Sequence, residues 1–225
     1  MGKKYYEAYD DRYRQVHSED LKWFDETPSG IVLDMIRENG ITKENRILEI
    51  GCGEGRDARH LLSEGYSLLA TDVSEEAVRY CRQLDPLNGE HYMVLDCVTE
   101  RLEEKYDFIY AVAVLHMLVL DSDRRWFYAF IKDQLAENGL ALICTMGDGE
   151  RESSSDPETA FDLQERIHEP TGKCLHIAGT SYRGISFPGF EKEIADSGLK
   201  LLRKGFTDIH PDYWKMMYAL VQKNS

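Results

Sequence analysis

The chain has 225 residues, 42% of them apolar and 30% charged, which excludes disorder over its whole length and suits one globular domain. A domain of this size can bury roughly 72% of its surface, so the core needs no disulfide or metal staple. Lys and Arg number 27 against 41 Asp and Glu, a net charge of −14. That balance disfavours a nucleic-acid backbone or an anionic membrane surface as partner, because such binding rests on bound Lys and Arg.

No basic stripe offsets the charge, and no apolar run nears the ~20 residues of a membrane helix. The five cysteines, Cys52, Cys81, Cys97, Cys144 and Cys174, are scattered and form no C-x-x-C pair. They predict a reducing, cytoplasmic setting rather than a disulfide framework or a metal site. The opening residues carry charge but no apolar segment, so no secretory signal is expected.

In chain order, residues 1–26 are dense in Tyr and charge, with Tyr5, Tyr6, Tyr9, Tyr13, Trp23 and Phe24, and predict no clear strand or long helix. Thr27-Pro28 reads as an N-cap and helix-opening proline, followed by Ile31, Val32, Met35 and Ile36 at helical spacing. Asn39-Gly40 closes that helix. A strand follows at 46–50, then glycines, then a helix carrying Leu61 and Leu62. Ser67–Thr71 is a second strand, and Ser74 caps a helix with Glu75 and Glu76 in its first turn, carrying Ala77, Val78, Cys81 and Leu84.

Third and fourth strands are expected at 91–95 and 107–112. A helix from Ser122 places Trp126, Phe127, Phe130, Ile131 and Leu135 on one face and stops at Asn138-Gly139, before a fifth strand at Leu140–Thr145. Residues 147–187 break the rhythm as a polar, irregular insertion, the usual form of a functional loop or lid. A helix at 188–197 and strands near 199–206 and 214–222 complete the chain. Strands alternating with helices predict βαβ units and a parallel sheet.

Ile47-Leu48-Glu49-Ile50-Gly51-Cys52-Gly53-Glu54-Gly55-Arg56 is a strand, an acid, a glycine turn and a helix start. Glycines let a ligand lie against the main chain, and ligands bind such sheets at the strands' carboxyl ends. The spacing is G-x-G-x-G, with Arg56 where a dinucleotide fingerprint has its third glycine. Glu49, two residues before Gly51, suits a ligand bearing an ammonium group.

This pattern resembles the first motif of the class I, seven-strand S-adenosylmethionine-dependent methyltransferases. Asp72 ends the second strand, where the family binds the ribose, and Asp96-Cys97 follows the third, where it meets adenine. Tyr106–Ala111 and Val114–Leu118 resemble the substrate-side strand and the turn after it, and Asn138–Ile143 the fifth-strand motif. The resemblance spans residues 28–146. It implies a three-layer αβα sandwich of Rossmann-like type, with a seven-stranded, mostly parallel sheet whose last strand is reversed.

The resemblance further implies S-adenosylmethionine as cofactor. Its contacts would come from Glu49, Gly51, Cys52, Gly53, Gly55, Asp72, Val73, Asp96, Cys97 and Ala111, with Tyr13 or Trp23 from an N-terminal segment, residues 1–40, that covers the site. No N-P-P-Y or D-P-P-Y follows the fourth strand, and Asp107 opens that strand rather than ending it as a metal acid would. The resemblance is therefore to enzymes acting on small molecules, with the 147–187 insertion as substrate lid. It leaves the acceptor and the oligomeric state open.

Several residues keep two readings. His116 is a core histidine, or a substrate contact or general base. Cys97 is a small buried residue or a nucleophile. Arg12 and Arg14 are solvated or receive the cofactor's carboxylate, and Arg151, Arg166 and Arg183 are solvated or bind an acidic substrate. His17, His168, His176 and His210 lack metal-ligand spacing. Rival readings of the whole chain are a nicotinamide oxidoreductase, a protein methyltransferase and a cofactor-binding protein without transfer activity.

Overall fold

The structure is a computed structural model in which residues 2–23, 26–168, 170–208 and 216–224 are described. Phe24, His210 and the expected start of the last strand at 214 lie outside the described residues. In chain order the elements are α1 (Ala8–His17), α2 (Gly30–Glu38), β1 (Arg46–Ile50), α3 (Arg56–Ser63), β2 (Ser67–Asp72), α4 (Glu75–Leu84), β3 (Tyr92–Val94) and β4 (Tyr106–Val112). They continue with α5 (Asp121–Gln134), β5 (Leu135–Met146), β6 (Ser153–Ser154), β7 (Leu163–His168), β8 (Lys173–Ala178), β9 (Arg183–Gly184), α6 (Phe187–Asp196), β10 (Leu199–Thr207) and β11 (Met216–Lys223).

Seven strands form one sheet in the order β10-β11-β5-β4-β1-β2-β3. Strands β1 to β5 pair in parallel, and β11 lies antiparallel between β5 and β10. The reversed last strand is thus as expected. Side chains alternate across the sheet, as strand geometry requires. Ile47, Phe108, Tyr110, Leu142 and Cys144 face α2, α3 and α4. Leu48, Ile50, Ile109, Ala111, Ala141 and Ile143 face α5 and α6. These two buried layers on either side of one sheet make the three-layer sandwich.

Local details correct the expected boundaries. Ser29, not Thr27, is the N-cap of α2, so Pro28 stands outside the helix. Ser74 does cap α4, accepting the Ala77 N–H at 3.0 Å. Helix α5 stops at Gln134, before Asn138-Gly139, and those residues sit where the β4–β5 register slips between Tyr106 and Phe108. Trp126 and Leu84 are exposed rather than core, and the Arg101 guanidinium lies over the Trp126 ring.

The N-terminal segment and the insertion carry more structure than their sequences display. Residues 8–17 form a helix in the N-terminal segment, which is expected as a helical cap although no long helix is clear in its sequence. The 147–187 insertion is structured, with a β7–β8 hairpin and a short β6–β9 pair. Leu175 and Ile177 of the hairpin pack against Val16 of α1, and Ala178 against Ala8. Buried Arg12 donates to the Ala178 and Gly179 carbonyls, with its guanidinium over the Tyr9 and Trp23 rings. Helix and hairpin therefore form one cap.

Candidate functional site

A cleft opens at the carboxyl ends of β1, β2 and β4. This is where the strand order reverses, the usual ligand position in an open α/β sheet. The glycine turn forms its floor. Gly51 has φ +73°, and a Cβ there would lie 2.3 Å from Val114 Cγ2. Gly51 and Cys52 both donate to the Thr71 carbonyl, which pins the turn to β2. Gly53, at φ +53°, has the Tyr13 hydroxyl 2.7 Å from where its Cβ would be. Any side chain at either position would fill the cleft or bend the turn.

Glu49, Cys52, Asp72, Val73, Asp96, Cys97 and Tyr13 all line the cleft, together with Gly51 and Gly53. Glu49 is 4% exposed, and its Oε2 has no hydrogen-bond partner. Burial, and then the charge of Asp57, push its carboxyl well above the ordinary range. An orphaned buried acid of this kind is suited to a cationic partner.

Asp72 accepts the Gly53 N–H at 2.8 Å and the Ser74 N–H at 2.9 Å. Burial pushes its carboxyl up, against those N–H groups, which favour the anion. Two bonds leave lone pairs on the carboxylate for ligand hydroxyls.

Asp96 is differently employed. It accepts from Lys4 Nζ, from the Tyr6 hydroxyl at 3.1 Å, from Thr99 Oγ1 at 2.8 Å and from the Val98 N–H at 2.9 Å. Burial alone would raise its carboxyl, but these donors, Lys4 foremost, hold it below the usual range. It anchors the N-terminal segment at the cleft's edge. Burial, followed by the charge of Asp96, pushes the Cys97 thiol up to about 12, which favours the protonated thiol of a packed residue over a nucleophile.

The roof comes from α1 and the turn before it. Tyr6, Tyr9 and Tyr13 line the cleft. Tyr5 reaches past it, donating to Asp123 Oδ2 at 2.7 Å and accepting from the Val119 N–H at 3.0 Å. The remaining wall, Val112, Ala113, Val114, Met117 and Leu118, carries no titratable group. Ala113 holds φ +62° there, a left-handed turn that a non-glycine residue adopts only where its surroundings force it.

Three expected site residues lie off the cleft. Gly55 opens α3 on the far side of the turn, against Cys81. Ala111 faces the α5–α6 layer, because strand alternation turns it away from Glu49 and Tyr110. His116 is 5% exposed, with Nδ1 unpartnered. Burial, then the positive charge of Arg124, lowers its pKa to about 4, which favours the neutral imidazole.

Trp23 packs on Arg12 rather than on the cleft. Arg12 is buried in the cap and Arg14 pairs with Asp10, so neither is at the cleft. Arg183 donates to the Val119 carbonyl and to Asp121, and Arg151 and Arg166 are exposed. The lining residues Glu54, Arg56 and Asp57 were missed, although all three stand in the glycine turn or just after it. Asp57 accepts the Ser29 N–H at 2.6 Å and so joins α3 to the start of α2. Among the described residues no group of three His, Cys, Asp or Glu could hold a metal, and no helix is long and apolar enough to cross a membrane.

Residues 48–141 match a family profile described as a methyltransferase domain. No curated protein matches the sequence. Among solved structures, the CcbJ methyltransferase from Streptomyces caelestis aligns with TM-score 0.70 at 16% identity, over 96% of this chain and 99% of its own. An S-adenosylmethionine-dependent methyltransferase from Clostridium acetobutylicum aligns with TM-score 0.67 at 14% identity, over 95% and 96%. The glycopeptide N-methyltransferase MtfA, complexed with S-adenosylmethionine, aligns with TM-score 0.64 at 15% identity, over 91% of each chain.

Proposed function

We propose, from the premise that residues 48–141 are a methyltransferase domain on the class I seven-strand fold, that this chain transfers the methyl group of S-adenosylmethionine to a small-molecule acceptor. The observation that carries the cofactor is the orphaned, buried Glu49 above a glycine floor, with Asp72 beside it. Glu49 would take the ammonium of the amino-acid end, and Asp72 the ribose hydroxyls. Tyr6, Tyr9 and Tyr13 line the same cleft as these acids. The bound cofactor supplies an electrophilic methyl on a sulfonium that leaves readily.

This chain's residues then have to hold and align. Among the described residues, Val112, Val114, Met117 and Leu118 offer the acceptor an apolar wall. Alignment of reacting groups in a dry cleft is worth ~7–11 kcal/mol in favourable cases. The roof made by α1 and the turn before it, with the hairpin packed on α1, supports a small acceptor, because Tyr6, Tyr9 and Tyr13 line the cleft beside the glycine floor. We read residues 1–40 and 147–187 together as that lid.

The test is to supply a labelled methyl donor with the protein to a cell extract split by size. Label is expected in the low-molecular-mass fraction. Label confined to protein bands would replace the small acceptor by a polypeptide, and binding of the donor with no transfer to either fraction would point to a non-catalytic binder.

A further inference from the structure

His17 ends α1 and lies between two acids from different parts of the domain. Its Nε2 is 3.0 Å from Glu54 Oε1, in the glycine turn, and its Nδ1 is 2.7 Å from Glu76 Oε1, on α4. The three side chains are nearly buried, at 6%, 6% and 9% exposure. The ring stacks on Tyr80 at 4.1 Å and lies 5.9 Å from the Tyr13 ring. A neutral imidazole has one N–H and one lone pair, so it can serve one carboxylate and must oppose the other. Both contacts are satisfied only when both ring nitrogens donate.

We infer that His17, held as an imidazolium between Glu54 and Glu76, is a positioning residue that clasps the aromatic face of α1 over the cleft, so that cofactor binding depends on a proton this chain carries. The inference rests on the proposed cofactor. The connection is direct: Glu54 and Tyr13 line the cleft, and Tyr13 sits over Gly53. Opening the cap moves that phenol away from the floor. A second tie, Asp10 accepting from Ser74 Oγ and the Glu76 N–H, joins α1 to α4 but does not titrate with His17.

The charges facing His17 set the direction of the dependence. Burial alone would lower it, but the two carboxylates raise it above the ordinary histidine value. Arg79 shares Glu76, at 2.8 Å and 2.5 Å, and Arg14 lies farther out with Asp10 and Glu75. A raised value means that the clasp is fully formed below about pH 6.5 and is lost as pH rises through the folded value.

The experiment is calorimetric titration of the full chain with S-adenosylhomocysteine at several pH values from about 6 to 9. It is run beside His17→Gln and Glu76→Gln, with amide exchange of residues 8–17 read as protection factors. Wild-type affinity is expected to fall about tenfold across that range, with α1 losing protection in step. His17→Gln is expected to bind weakly and without this pH dependence, and Glu76→Gln to shift the transition to lower pH. Equal wild-type affinity and equal protection across the range would overturn the clasp, as would an unchanged pH profile in His17→Gln. Wild-type protein that binds no S-adenosylhomocysteine at any pH, with α1 still titrating, would instead sink the cofactor reading and leave the clasp as a structural device. Should His17→Gln fail to fold, the wild-type exchange profile and Glu76→Gln decide the matter.

Discussion

Glu49, near the end of β1, and His116, in the turn after β4, are both buried and both titratable, yet the structure gives them opposite prospects. Glu49 has an unpartnered oxygen at the wall of the cleft, whereas His116 is enclosed away from it beside Arg124. Glu49→Gln keeps the shape and removes the negative charge available to an ammonium. It is expected to weaken S-adenosylhomocysteine binding by roughly tenfold or more, the scale of a charge-assisted hydrogen bond, while leaving thermal stability unchanged or higher. His116→Phe is expected to leave the methyl-transfer rate within about threefold. A loss of about 10² or more, the contribution of a general base, would return His116 to the chemistry.

Among the elements, the cap shows most clearly what a sequence pattern conveys and what it hides. The glycine turn is legible because its demands are local: Gly51 and Gly53 have positive φ and nothing else fits. Asp72 follows from strand length alone. Helix α1 hides because it is buried through polar residues, with Arg12 and Tyr13 inside beside Ala8 and Val16. Strand β7 hides because its pattern is inverted. It exposes Leu163 and Ile167, while Gln164, Arg166 and His168 share the face of Leu175 and Ile177 that meets α1.

Ala111 and Val112 show the limit at finer grain. A family motif reaches the strand, but strand alternation decides which of the two neighbours faces the ligand. The cap's own prediction concerns Arg12, whose guanidinium is the hairpin's main polar tie to α1. Arg12→Ala is expected to cost about 2–4 kcal/mol, since it leaves two carbonyls of a buried turn unpaired. Limited proteolysis should then cut within residues 163–178 faster, and unchanged cleavage would show that the hairpin's other contacts with the N-terminal segment, apolar and polar, hold it without Arg12.

Across the whole molecule, two parts of the chain meet at one cleft. The sheet with its glycine floor is the part that matches the methyltransferase-domain profile, from residue 48 to residue 141. The roof lies outside that span, in α1 and the turn before it, with the insertion packed on α1, and it is tied to the floor by Lys4 and Tyr6 on Asp96, by Asp10 on α4 and by His17 on Glu54. The glycine floor and the apolar wall of the cleft thus lie in the part of the chain the sequence displays, and the tyrosines over them in a part it conceals. The central claim is that the cleft holds S-adenosylmethionine through Asp72 and Glu49. Calorimetric titration with S-adenosylhomocysteine tests it most directly, with Asp72→Ala alongside and NADH as control. The account predicts saturable binding by the native chain, at least roughly tenfold weaker in Asp72→Ala (about 1.4 kcal/mol), and none to NADH. Clear binding of NADH with no binding of S-adenosylhomocysteine would contradict it and make the chain a nicotinamide-binding protein.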